Sequence, residues 1–168
     1  REIKRNMQTP WKKYLLNCIW LTFPILLWNV IFASRLPPQF LPDIFWKDIP
    51  AAIQYGENLL RVVIFAIPAF VTLQFNRRGV VWYAIGTLVY FLSWVLLILL
   101  PTSAWSTSLI GFMAPAYTPL LWMIGIALLG GAFYFPARYS VRYRPAVYIA
   151  PAVLFTVFHC THAALVYF

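Results

Sequence analysis

Four residues have the types and spacing to do chemistry at a buried site: Glu57, Arg61, His159 and His162. Glu57 and Arg61 stand four apart with the acid first, so on one helix they share a face and can pair as ions. His159 and His162 stand three apart, which turns their rings about 60° from each other on a helix and lets both address one site. Imidazoles hold protons, metals or anions near neutral pH. Two of them with a carboxylate make the two-nitrogen, one-oxygen set of catalytic zinc centres, which leaves a position for water. His159, His162 and Glu57 are therefore candidate ligands for a divalent metal such as zinc. The simpler arrangement is hydrogen bonding of the histidines to hydroxyls or to the Glu57–Arg61 pair. The short His-x-x-His spacing, with its acid in a different segment, favours that simpler arrangement. Arg61 with the two imidazoles also suits a carboxylate or a lipid phosphate. Glu57 offsets part of that charge, so a proton or cation fits too.

Several other chemistries find no residues here. Haem cannot be clamped by His159 and His162, because residues three apart on one helix do not reach both faces of a porphyrin. No lysine falls inside an apolar segment, so Schiff-base chemistry there has no amine. Cys18 and Cys160 lie far apart in sequence, form no CxxC or CxxCH, and are not expected to pair. No Gly-rich phosphate loop, GxSxG elbow or HExxH occurs.

The segments that position these residues are apolar. The chain is 62% apolar and only 10% charged, and its mean hydropathy is +0.76. A soluble domain has nearer a quarter of its residues charged, because it must cover itself with polar groups. Lipid is the solvent that fits. The net charge of +9 comes mostly from short basic clusters between apolar runs. Membrane topology and anionic headgroups explain these better than nucleic acid does. No polar segment is long enough to make a separate soluble domain.

A hydrocarbon core of about 30 Å needs about 20 helical residues. Five segments qualify, at about 14–33, 54–75, 80–100, 117–135 and 146–168. The expected fold is all-α: a single polytopic domain, a bundle of five transmembrane helices. The first segment is longer than a signal-peptide core and lacks an Ala-x-Ala site after it, so it is expected to remain as a span. Arg1, Lys4, Arg5, Lys12 and Lys13 precede span one. Arg77 and Arg78 follow span two, and Arg138, Arg142 and Arg144 follow span four. Five crossings put all of these on one side, which the positive-inside rule makes cytoplasmic. An even number of crossings would scatter them. The N-terminus is then inside and the C-terminal end outside, in a plasma membrane or bacterial inner membrane.

Span two decides the depth of the charges. Residues 62–75 make only about 21 Å of helix, so the span must continue upstream through Arg61, Asn58 and Glu57. A lone charge at that depth costs at least a few kcal/mol, so both ions must face protein or water. Counting along the other spans puts Asn29, Tyr90, Ser93, His159 and His162 at the same outer level. Polar groups from four spans therefore converge, and an outward-opening polar pocket is expected. Its expected use is to bind or translocate a small polar or amphipathic ligand or ion. The alternatives are a metal-dependent intramembrane enzyme acting on lipid-like substrates, and a structural subunit or scaffold of a membrane complex.

The rest of the chain frames this site. Residues 35–50 carry four prolines that forbid a regular helix. Phe40, Phe45 and Trp46 there are expected to lie on the outer headgroup layer. Residues 101–118 form a second outer loop that can dip inward where it is buried. Trp11, Tyr14, Trp82, Tyr83, Trp105, Tyr134, Tyr139 and Tyr143 fall where interfacial belts are expected. Pro24, Pro68 and Pro151 interrupt spans one, two and five. Gly125, Gly130 and Gly131, with Ala127, suit span four to close helix contact: packing within the chain first, a homo-oligomer second. Membrane lipids are the expected partners.

Overall fold

The computed structural model describes residues 16–133 and 143–168. Arg1, Lys4, Arg5, Trp11, Lys12, Lys13, Tyr14, Tyr134, Arg138, Tyr139 and Arg142 lie outside the described residues, as do the ends of spans one and four. The chain is mostly helical. Its main helices are α1 (Phe23–Phe32), α2 (Ala51–Ala69), α3 (Arg77–Leu99), α4 (Pro119–Leu129) and α5 (Ala146–Tyr167). Three segments are long and apolar enough to cross a membrane: Cys18–Arg35, Arg77–Leu99 and Ala146–Tyr167. Ala114–Leu129 is apolar but shorter. Helix α2 has 19 residues, and Glu57 and Arg61 lower its apolarity.

Local sequence sets the helix ends. Pro24 stands in the first turn of α1, where its missing N–H costs nothing. Pro50 precedes α2 and Pro145 precedes α5. Asn76 caps α3 by accepting a hydrogen bond from the Gly79 N–H. Its amide also donates to the Leu128 carbonyl, tying the α2–α3 hairpin to the end of α4.

Helices α2 and α4 stop earlier than the hydropathy pattern predicts. Beyond them lie two short strands, β1 (Val71–Leu73) and β2 (Gly130–Phe133), paired antiparallel. Asn17 bridges to Thr72 at the edge of this pair. The cause is proline and glycine. Pro68 sits in the last turn of α2, and the Gly130–Gly131 pair is a poor place to continue a helix. The ladder then satisfies the backbone groups that helix would have satisfied, as apolar surroundings require. The Leu73 N–H also donates to Leu16, and the Gln74 N–H to Leu129.

Helix α3 packs along α4, α2 packs along α5, and α4 joins the two pairs by lying against α5. Glycine makes the α3–α4 approach close. A Cβ on Gly86 would lie 2.2 Å from the Trp122 nitrogen, and one on Gly125 would lie 2.4 Å from the Tyr83 backbone. Gly130 meets the Tyr143 ring and Gly131 meets Thr72. The small residues of span four are thus occupied within one chain. Helix α1 docks on α3 by stacking Trp28 on Phe91 and by a bond from the Tyr83 hydroxyl to the Leu21 carbonyl. Tyr83 and Tyr143 therefore point inward rather than joining an interfacial belt; the Tyr143 hydroxyl donates to the Ala127 carbonyl. Trp82 and Trp105 stay exposed.

Proline shapes the α2–α5 seam as well. Pro68 has no N–H for the Ile64 carbonyl one turn back. The buried Tyr148 hydroxyl of α5 donates to that carbonyl at 3.1 Å. Most of α4 is buried, and the core gathers around Ile25, Ile64, Tyr90, Met123, Ile126 and Phe155. The outer surface is apolar on every long helix, with Val30, Leu59, Val62, Leu88 and Val157 all exposed.

Candidate functional site

Glu57 is fully buried, on the face of α2 that meets α5. Gly56 makes this approach possible, because a Cβ there would lie 2.2 Å from the Phe158 ring. Each oxygen of the carboxylate is engaged. Oε1 accepts from Arg61 one turn along α2 and from His159 Nδ1 at 3.0 Å. Oε2 lies 2.5 Å from His162 Nδ1. The i, i+4 and i, i+3 spacings thus meet at one carboxylate.

His162 is fully buried, and its second nitrogen, Nε2, lies 2.7 Å from the Phe45 carbonyl oxygen. That oxygen only accepts, so Nε2 carries hydrogen. Nδ1 faces a Glu57 oxygen at hydrogen-bonding distance. Arg61, on the other oxygen of the same carboxylate, is partly open, with 38% of its side chain exposed.

This arrangement bears on the metal reading. Zinc would stand about 2.0–2.2 Å from each nitrogen and oxygen, with the ligands spread around it. Here the ligand atoms contact one another, and the Phe45 carbonyl closes the far nitrogen of His162. Among the described residues, no group of three or more His, Cys, Asp or Glu is placed to hold a metal ion. His159, His162 and Glu57 do converge, through hydrogen bonds to the one carboxylate, which is the simpler of the two arrangements that the spacing allowed.

The loop over the site differs from its expected place. Phe45 is buried, and its ring lies 4.0 Å from that of His162. The Trp46 ring lies 4.5 Å from His162 on another side, and the Arg61 guanidinium sits over Trp46 at 5.6 Å. Phe40 packs on Trp94, Phe45 and Phe112. Phe45 and Trp46 thus cover His162 and reach Arg61, a buried imidazole and a partly exposed guanidinium that offer ring partners.

Arg61 and His159 open onto a cavity of about 330 Å³ between α1, α2, α3, α4 and α5. Asn29 and Tyr90 line it, and the Tyr90 hydroxyl donates to Asn29 Oδ1 at 2.7 Å. Ser93 does not reach the cavity; its hydroxyl donates to the Tyr90 carbonyl and approaches Thr118. Asn58 is exposed and touches only the outer edge of Arg61, at 3.4 Å. Sequence reasoning missed Trp28, Trp94 and Trp122, which line the cavity. Their buried indole N–H groups have no hydrogen-bond partner among the described residues. One signal was available: these three tryptophans fall inside apolar segments rather than at their ends.

No protein-family model, curated protein or solved structure matches this chain at a significant level.

Proposed function

We propose that the chain is an integral membrane protein that crosses the bilayer five times. Its N-terminus is cytoplasmic, its C-terminal end is outside, and its membrane is a plasma or bacterial inner membrane. In the outer half of that bilayer it binds or translocates a small polar or amphipathic ligand or ion. One observation carries this reading: a fully buried Glu57–His162 pair holds Arg61 at the wall of a cavity lined by five helices.

Two further observations support the five crossings. Asn17, β1, β2 and the start of α3 meet at one end of the bundle. Arg35, Phe40, Pro101 and Tyr167 meet around a second cavity, of about 510 Å³, at the other end. That arrangement needs α2 and α4 to run the full height, the first with its charges turned inward and the second helped by the buried turn Ala114–Tyr117. The loop covers His162, whose ring meets Phe45 and Trp46. A homo-oligomer would need a surface other than the span-four glycines, and membrane lipids are the proposed neighbours of the exposed apolar faces.

The reading is tested on the full chain in its membrane. A reporter fused after Phe168 is expected to fold or act only outside the cytoplasm. Purified protein is expected to gain thermal stability from a ligand that Arg61→Ala no longer detects, while the variant still folds. A cytoplasmic reporter would reverse the sidedness of the site. Severe unfolding of both Arg61→Ala and His162→Ala would make the cluster structural.

A further inference from the structure

Resting on the membrane-depth site proposed above, we infer that its occupant is an uncharged acyl-ester lipid of the outer leaflet, which enters sideways between α1 and α2 and presents an ester carbonyl to Asn29 and Arg61. The mouth of the 330 Å³ cavity carries the argument. Helix α1 is tied to α3, where Trp28 stacks on Phe91 and the Tyr90 hydroxyl donates to Asn29 Oδ1. Among the described residues, no hydrogen bond, ion pair or ring contact joins α1 to α2. Both helices nonetheless wall the cavity, α1 with Leu26 and Asn29, α2 with Arg61 and Phe65. Leu26 and Asn29 are exposed, and so is 38% of the Arg61 side chain. At this depth an exposed side chain meets lipid, so the gap between α1 and α2 opens toward acyl chains.

What these two polar groups lack is an acceptor. The Asn29 oxygen accepts from Tyr90, and the Asn29 amide N–H groups bond nothing among the described residues. Arg61 has one bond to Glu57 and a long one, 3.4 Å, to Asn58, which leaves others of its five N–H groups open. A donor without a partner in hydrocarbon is costly, because no water is there to replace it. Acyl chains carry no acceptor, but the ester carbonyl that joins them to glycerol does. Depth selects among the lipids that carry one. Asn29 stands six residues before Arg35, where the crossing segment ends, and so lies about 9 Å below it. A charged headgroup is held at the surface by the cost of taking it that deep. An ester with only a hydroxyl beyond it follows its chains down. The rest of the wall, with Ile25, Ile64 and Phe155, is apolar and suits those chains.

The full chain, in nanodiscs of ether-linked phosphatidylcholine that carries no ester carbonyl, is titrated with dioctanoylglycerol, its diether counterpart, dodecanoate and triacetin. Tryptophan fluorescence reads the binding. Dioctanoylglycerol is expected to bind tenfold or more tightly than the diether, which has the same chain length and hydroxyl but no carbonyl. It is expected to bind more tightly than dodecanoate and triacetin as well. Asn29→Leu and Arg61→Met are each expected to weaken dioctanoylglycerol threefold or more and leave the diether unchanged. If Arg61→Met does not fold, Asn29→Leu carries the test. Equal binding of ester and diether, or tightest binding of dodecanoate, overturns the ligand class while the site stands. Triacetin has ester carbonyls without long chains, so its binding as tightly as dioctanoylglycerol overturns entry from lipid. Binding of none of the four compounds removes the site as well.

Discussion

Replacing Glu57 with alanine takes the common acceptor from three donors at once, and the structure allows the cost to be apportioned. Hydrogen bonds to charged groups contribute about 1.5–3 kcal/mol each. Arg61 loses least: with 38% of its side chain exposed it turns to water or a headgroup, so its share falls to about 1 kcal/mol or less. His159 is 19% exposed and partly rehydrates. His162 has no such escape. Fully buried, it keeps its bond to Phe45 and leaves Nδ1 without a partner, at about 1–3 kcal/mol. With about 1 kcal/mol for His159 the sum is about 2–5 kcal/mol, overlapping the range found for breaking a buried ion pair. Glu57→Gln keeps the shape. Its oxygen accepts from Arg61 or His159, and its amide donates to a neutral His162, so the expected loss is only about 1–2 kcal/mol. In a Glu57→Ala background, His162→Ala should cost at least about 1.5 kcal/mol less than it does in the unaltered chain. Denaturant unfolding in detergent micelles, followed by tryptophan fluorescence, measures all four corners of this cycle. A Glu57→Ala loss under about 1 kcal/mol would refute the hydrogen-bonded cluster, and so would additivity within about 0.5 kcal/mol.

Other expectations follow from the same contacts. Tyr148→Phe leaves the Ile64 carbonyl unsatisfied and should destabilise the chain by about 1–3 kcal/mol. In a Pro68→Ala background the restored N–H takes that carbonyl, so the tyrosine change should cost less; an equal cost in both backgrounds would remove this role of Tyr148. Gly86→Ala drives a Cβ into the Trp122 backbone, which cannot rotate away, and should lower stability by about 1–3 kcal/mol. An unchanged melting temperature would mean that α3 and α4 do not approach this closely. Treatment with a chelator should leave stability and ligand binding unaltered, because the His159, His162 and Glu57 atoms bond one another; stoichiometric zinc in purified protein would overturn that.

Long-range order was legible in the sequence only where a single physical constraint dominated. Apolar runs demand burial, and they located α3 and α5 to within about three residues at each end. The shortness of residues 62–75 forced Glu57 and Arg61 onto a helix below the surface. The three- and four-residue spacings then said which side chains share a face. The ends of α2 and α4 were misplaced because hydropathy does not distinguish an apolar helix from an apolar strand. Pro68 and the Gly130–Gly131 pair were the local signs that it could not weigh.

The sequence by itself determined that this chain is rich in apolar helix and that Glu57, Arg61, His159 and His162 can meet. Composition and periodicity suffice for that, since they act over a turn or two of chain. Only the tertiary structure decided how those groups meet. The Phe45 carbonyl reaches His162 from a loop 117 residues away. This contact closes the far nitrogen of His162 and leaves its Nδ1 to Glu57, beside Arg61 at the cavity wall. Three tryptophans from three different helices become one wall in the same way. Such contacts join residues with no fixed spacing between them, so no local pattern in the chain records them.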